Sequence, residues 1–409
     1  MKSIKLAERF ARLRPVHPFP ARMAPEIALS RLRSTRKLRV LDPMVGSGTT
    51  VLLASLLGHT AVGYDQDPLA LLISKTWCSD LDESQFRAAL ASTLAAAKNT
   101  WMRVAAYPAS ADSETKEFLR YWFDLTTRKK LAALAAVISR TKNDTLRTQL
   151  WCAFSRLIIV KDNGVSLARD VSHSRPHRFY ERAPVNPFFQ FSKSGEHIIR
   201  SLLALPRGGK RVRLEKADAR RPPTKAGSID FVLTSPHYLD AIDYLRGHRM
   251  TLAWMGYTLK HLRQIRGSAV GAEIGYSEVP EKLLSARQAV GRLTRLDSRT
   301  QRIVNKYVVD MNDIMGQIAR VLRPRGKAVI VIGNSTLRGV FLKNSDLIIE
   351  LGRMHGLELV HRRWRQIPRS KRYLPPPCSQ PNAAPLASRM RAEVVLTFSA
   401  IGKGRGGLF

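Results

Sequence analysis

The sequence predicts an α/β chain with a doubly wound, mainly parallel sheet, and three observations carry that expectation. Short apolar runs rich in β-branched residues end at an acid or a turn, and helical periodicity then restarts, as in Arg39 to Asp42 followed by Thr49 to Leu57. A glycine turn, Gly46-Ser47-Gly48, sits between the first such strand and its helix. Two runs, Ile229 to Leu233 and Lys327 to Ile332, are apolar throughout, as strands buried on both faces are. Seven strands emerge, five separated mainly by helices and two terminal ones joined by a long loop. Ligands of open α/β sheets bind beyond the carboxyl ends of the strands, so residues just past those ends are the candidate site.

Composition narrows the class of partner. The 409 residues hold 68 Lys and Arg against 32 Asp and Glu, a net charge of +36. A soluble domain carries a net charge of roughly 2–8 in magnitude, so this excess points to a polyanion. Nucleic acid is favoured over an anionic membrane, because the chain has neither a long apolar run nor a basic amphipathic anchor. The three cysteines, Cys78, Cys152 and Cys378, lack metal-site or disulfide-framework spacing, and no metal is expected. The first residues lack an apolar signal core, and a cytoplasmic location is expected.

Along the chain, residues 1–78 read as the first half of a catalytic domain. They open with a basic segment containing His17-Pro18-Phe19-Pro20, whose prolines fix an extended approach to a helix starting at Pro25-Glu26. The first strand leads into Asp42-Pro43-Met44-Val45-Gly46-Ser47-Gly48-Thr49-Thr50, where free N–H groups at a helix start favour an anion or a close ligand. No Gly-Lys-Ser/Thr follows, and Val51 stands where a dinucleotide fingerprint needs its third glycine. The second strand ends in Asp65, placed to accept from ribose hydroxyls, with Asp67 as the cap of the next helix.

Residues 79–206 break the alternation and are expected to form a mainly helical insertion, with helices over 82–107, 113–141 and 144–160. The irregular stretch from 162 to 195 interleaves Arg169, Arg175 and Arg178 with Phe179 and Tyr180, a mixture suited to phosphate contact and base stacking. A loop packed by its own aromatics is the competing reading. Residues 207–409 resume the catalytic domain with a third strand ending near Asp218. A basic excursion at about 257–305 carries no legible chemistry, and a second basic loop holds Arg369, Lys371 and Arg372.

The fourth strand runs into Ser235-Pro236-His237-Tyr238. Together with Asp42-Pro43…Gly46-Ser47-Gly48-Thr49 and Asp65, this motif resembles those of the S-adenosylmethionine-dependent DNA amino-methyltransferases acting on cytosine N4 or adenine N6. The resemblance covers residues 15–77, 210–256 and 320–400. It implies a seven-stranded Rossmann-like sheet with an antiparallel last strand, S-adenosylmethionine as cofactor, and base flipping. It also implies that Phe19 and Pro20 close over the methionine end of the cofactor, that the 42–49 loop cradles it, and that Asp218 accepts from its adenine amino group. Ser235 and the Pro236 carbonyl would orient the target amine while Tyr238 stacks on the base. Serine in the first motif position favours cytosine N4 over adenine N6. His237 replaces the family's proline, which leaves an inactive DNA-binding module as one alternative; an RNA amino-methyltransferase is another.

Overall fold

The computed structural model describes residues 14–20, 22–206, 211–239, 243–270, 276–367 and 392–401. Seven strands form one sheet: β1 (Arg39–Asp42), β2 (Thr60–Asp65), β3 (Val212–Lys216), β4 (Ile229–Thr234), β5 (Leu322–Ile332), β6 (Leu357–Gln366) and β7 (Ala392–Ala400). Their spatial order is β6-β7-β5-β4-β1-β2-β3. The β1–β2, β1–β4, β2–β3 and β4–β5 pairs are parallel, and β7 runs antiparallel to both β5 and β6. Five strands therefore present their carboxyl ends at one edge, with Asp42, Asp65, Lys216, Thr234 and Ile332 as their last residues. This is the doubly wound seven-stranded sheet of Rossmann-like methyltransferases.

Alternation along the strands divides the core. Phe231, Leu233, Val329 and Val331 join a cluster on one face, whereas Val232, Ala328, Ile330 and Ile332 join a second cluster on the other. The first face is covered by α1 (Pro25–Arg31), α2 (Thr49–Leu56) and α3 (Pro68–Cys78). The 79–206 segment adds α4 (Glu83–Thr100), α5 (Ser113–Trp122), α6 (Leu125–Ser139), α7 (Asp144–Ile158) and α8 (Pro187–Leu203) on that side. Its buried Leu131, Leu134, Phe154 and Phe191 belong to the same cluster as the sheet, so the helices complete the core instead of forming one of their own. After β4 come α9 (Tyr244–Leu252), α10 (Leu259–Ser268) and α11 (Leu284–Ala289). The second face is covered by α12 (Ser298–Val321) and α13 (Asn344–Met354).

Three expectations change, one of them because α8 begins at Pro187, capped by Asn186, inside the stretch expected to be irregular to residue 195. The single helix expected over 113–141 is two, because Phe123 adopts an extended conformation and Asp124 accepts from the Thr127 N–H to cap α6. Its periodicity survives the break, which is why the sequence pattern hides it. The apolar strand expected from Lys327 begins five residues earlier at Leu322, with an irregularity in its pairing to β4 between Ile229 and Phe231 and a left-handed Arg325 (φ 61°) within it.

Candidate active site

The loop after β1 is shaped by its glycines. Gly46 and Gly48 have φ of +49° and +87°, conformations that L side chains rarely adopt. A Cβ on Gly48 would lie 2.9 Å from the Ser74 Cβ and 3.0 Å from its Cα, so the turn is pressed against α3. Asp65 closes the loop from β2: its carboxylate accepts from the Gly46 N–H at 2.9 Å and from the Asp67 N–H at 3.0 Å. Each oxygen keeps further lone-pair capacity for a ligand hydroxyl. Asp42 is buried at the β1 end and accepts from the Met44 N–H at 3.2 Å. Burial pushes the Asp42 carboxyl up to about 7 and that of Asp65 to about 6, and the neighbouring carboxylates add to both. Two carboxyls buried near one another are stabilised in their charged form when a cationic ligand lies against them.

Asp67 caps α3 through the Leu69 N–H, as the sequence predicts, and its other oxygen meets His248 Nδ1 at 2.5 Å. Burial alone would raise the Asp67 carboxyl, but the His248 pair and the backbone N–H groups outweigh it and hold it below the usual range. The His248 ring lies 5.6 Å from that of Phe19 and 6.0 Å from that of Tyr244. Phe19 stacks on Tyr244 at 5.2 Å, and its edge is 3.4 Å from where a Gly46 Cβ would stand. The 14–20 strap therefore lies across the glycine loop. Its backbone is held by the helical segment: His197 bonds the Pro15 carbonyl at 2.8 Å, Arg156 the Val16 carbonyl at 2.9 Å, and His17 meets Ser155 Oγ at 2.9 Å.

Ser235-Pro236-His237-Tyr238 follows β4 at the same edge, half-buried apart from the buried Pro236. Ser235 Oγ and the Tyr238 hydroxyl are 3.2 Å apart, and the buried Tyr307 hydroxyl donates to the His237 carbonyl at 3.0 Å. The His237 ring meets Tyr244 edge-on at 5.0 Å, and burial lowers its imidazole below the ordinary value. Tyr244 thus touches Phe19 on the glycine-loop side and His237 on the motif side, joining the two halves of the candidate site. Where the family's proline would fix the backbone at this position, Tyr307 and Tyr244 both hold His237.

Other expected residues are engaged elsewhere. Both carboxylate oxygens of Asp218 are taken by Arg220, at 2.7 to 3.1 Å, and Arg220 also bonds Asp310 at 2.7 Å. Burial would raise the Asp218 carboxyl, but Arg220 outweighs it. Asp218 still lines a cavity of about 430 Å³ with Gln66, Ala217 and Ile265, beside the ends of β2 and β3. Arg169 is paired with Asp162 at 2.6 Å and lies over Phe179, and Arg178 lies over Tyr121. Arg175 is half-buried in the segment connecting the two strands of the short 168–169/177–178 ribbon. Arg369, Lys371 and Arg372 fall outside the described residues. The sequence places Asp243 to His248 on the helix under the site and His17 in the entry segment, without a role for Tyr244, His248 or His17, and Tyr307 carries no signal in it at all.

No metal-binding group of three or more acidic, His or Cys side chains occurs among the described residues, and no helix among them is long and apolar enough to cross a membrane. No family model matches the chain. Over 393 residues it is 22% identical to the Type II methyltransferase M.MvaI of Kocuria varians, covering 87% of this chain and 84% of the relative. Among solved structures, a SAM-dependent methyltransferase from Methanosarcina mazei aligns over 94% of this chain and 100% of its own, at 9% identity and TM-score 0.34. A Thermus thermophilus protein described as a DNA modification methylase, complexed with S-adenosyl-L-methionine, aligns over 47% and 56%, at 16% identity and TM-score 0.24. TM-scores this low add nothing to the strand order itself. The chain is a relative of a Type II methyltransferase, built on the seven-stranded Rossmann-like methyltransferase sheet.

Proposed function

We propose that the protein is an S-adenosylmethionine-dependent DNA methyltransferase that modifies an exocyclic amino group of a flipped base, cytosine N4 before adenine N6. The observation that carries this reading is the meeting of two separately encoded motifs at one sheet edge. The glycine loop and Ser235–Tyr238 are joined there through the Phe19–Tyr244–His237 ring contacts. The residues fit the cofactor: the Gly46–Gly48 turn admits close backbone approach, and the buried Asp42 and Asp65 suit a ligand carrying positive charge and ribose hydroxyls. When bound, S-adenosylmethionine supplies an electrophilic methyl group.

The protein's own part is orientation and electrostatics. An exocyclic amine is a weak nucleophile because its lone pair is delocalised into the ring. Ser235 Oγ and the Pro236 carbonyl accept its two N–H groups and favour a pyramidal nitrogen whose lone pair is free to attack. Tyr307 holds the His237 carbonyl, and the carbonyl before it, that of Pro236, is the one this reading gives to the substrate. The serine at position 235 is the reason for placing cytosine first. The Tyr238 hydroxyl beside Ser235 orients that serine and lets the tyrosine ring border the base. The grip of Tyr307 and Tyr244 on His237 favours an active enzyme over an inactive binding module. A Type II relative and a net charge of +36 favour DNA as the polymer and a role in restriction–modification in the cytoplasm.

Incubation of the protein with labelled S-adenosylmethionine and DNA, then nucleoside digestion and mass spectrometry, tests this reading. N4-methylcytosine is expected. N6-methyladenine would reverse the base assignment, and label appearing in RNA alone would replace the substrate.

A further inference from the structure

The basic excursion and the segment after β5 form one surface. Immediately past β5, Ser335–Leu337 and Val340–Leu342 make a hairpin whose two turn residues, Arg338 and Gly339, both have positive φ (48° and 80°). The hairpin is fixed to the catalytic edge, since Ser335 Oγ donates to the Leu239 carbonyl at 2.6 Å, next to Tyr238. Buried Asn344 bonds both the Gly333 carbonyl and Ser335 Oγ. Three contacts then seat the hairpin on the excursion. The Lys343 N–H donates to the Val290 carbonyl at 2.8 Å, the Phe341 carbonyl is 3.4 Å from where a Gly291 Cβ would stand, and Arg338 pairs with Asp297 at 2.8 Å. Asp297 caps α12, so that helix starts against the turn of the hairpin.

The side chains this platform shows to solvent are of two kinds. Arg292, Arg295, Arg299 and Arg302 are exposed and have no ion pair among the described residues; the first two stand at the ends of a short 3-10 turn, and the last two are three residues apart in the first turns of α12. Phe341 is 55% exposed although its hairpin partner strand and turn are well tied down. A solvated face explains cations, but it does not explain a large aromatic held out on a braced hairpin among them. Phosphates and a base ring satisfy both.

We infer that Arg292, Arg295, Arg299 and Arg302 grip the DNA backbone beside the catalytic pocket while Phe341 stacks on a base exposed when the target is extruded. This rests on the DNA-methyltransferase reading and adds the surface by which the duplex is held.

The test compares the parent, a variant with all four arginines changed to alanine, the same four changed to lysine, and Phe341→Ala. Each is titrated by fluorescence anisotropy against a 30-base-pair duplex from 50 to 300 mM salt, with calorimetry of S-adenosylhomocysteine to confirm an intact site. The four-alanine variant should bind cofactor as the parent does, and the slope of log affinity against log salt should flatten by about 3–4. The lysine variant should keep the parent slope. Phe341→Ala should keep the slope and lose about fivefold or more in affinity. An alanine variant with the parent's slope and affinity overturns the inference while leaving DNA binding intact. A parent that binds no DNA at any salt overturns the DNA reading itself, and tighter binding to an RNA duplex transfers the surface to the other polymer.

Discussion

Replacing Gly48 by alanine asks whether the glycine loop is held by backbone conformation alone or also by its packing on α3. Two glycines with nearly the same dihedral flank α2: Gly48 at its amino end (φ +87°) and Gly58 beyond its carboxyl end (φ +86°). A Cβ on Gly58 meets nothing within 4 Å. Gly58→Ala therefore carries only the left-handed strain, about 1–2 kcal/mol, less about 0.4–1 kcal/mol regained by restricting the unfolded chain. Gly48→Ala carries the same two contributions and adds overlap at 2.9 and 3.0 Å with Ser74 Cβ and Cα, in a fully buried helical segment that cannot swing aside. Overpacking of that sort costs about 1–3 kcal/mol. Urea unfolding should place Gly58→Ala within about 1 kcal/mol of the parent and Gly48→Ala a further 1–3 kcal/mol lower. Calorimetry should show S-adenosylhomocysteine binding retained by the first and weakened in the second. Equal stability of the two variants would refute the packing account of the loop.

Ser235→Ala should lower turnover by at least tenfold while cofactor affinity stays within about twofold, because the lost acceptor acts on the target amine near the transition state; equal turnover removes Ser235 from the chemistry. Asp42 is raised to about 7 in the folded protein, so the folded state holds its proton more tightly than the unfolded chain and stability falls as pH rises from about 4 to 7. Asp42→Asn should gain on the parent across that window, by up to about 4 kcal/mol above pH 7, in urea titrations at pH 5 and 8; a pH-independent difference contradicts the raised carboxyl. Tyr307→Phe removes the bond to the His237 carbonyl and should cost about 1 kcal/mol of stability and part of the activity, whereas His237→Pro should stay within about tenfold of the parent by labelled-methyl assay. Activity lost in the second and untouched in the first would make the imidazole itself catalytic.

What the sequence disclosed was local. Gly46, Gly48 and Asp65 could be read because a strand, a turn and a helix start lie within a few residues of one another and each leaves its own signature. Ser235–Tyr238 stood out because a proline-held turn closing a buried strand is rare. Contacts that cross the chain were invisible. Nothing near Tyr244 indicates that it will lie between Phe19 and His237, and nothing near Tyr307 points to a carbonyl 70 residues away. Charges misled in the same way: Arg169 looks available until Asp162 is found beside it, and Asp218 until Arg220 folds back on it. The excursion at 257–305 showed only a charge run, because its arginines acquire meaning from a hairpin that arrives about 40 residues later.

The anchorage of the 14–20 strap sets a limit on how this protein can be taken apart. A chain with a helical block spliced into a catalytic sheet invites exchange of that block for another, as one would swap a specificity cassette. Here His197, Arg156 and Ser155 of the block hold the strap that lies across the glycine loop. Excising 79–206 would remove the fastening of the strap together with the helices that complete the core. A chimera that is to keep the strap over the glycine loop must import those three anchors, or carry a strap matched to its new helices.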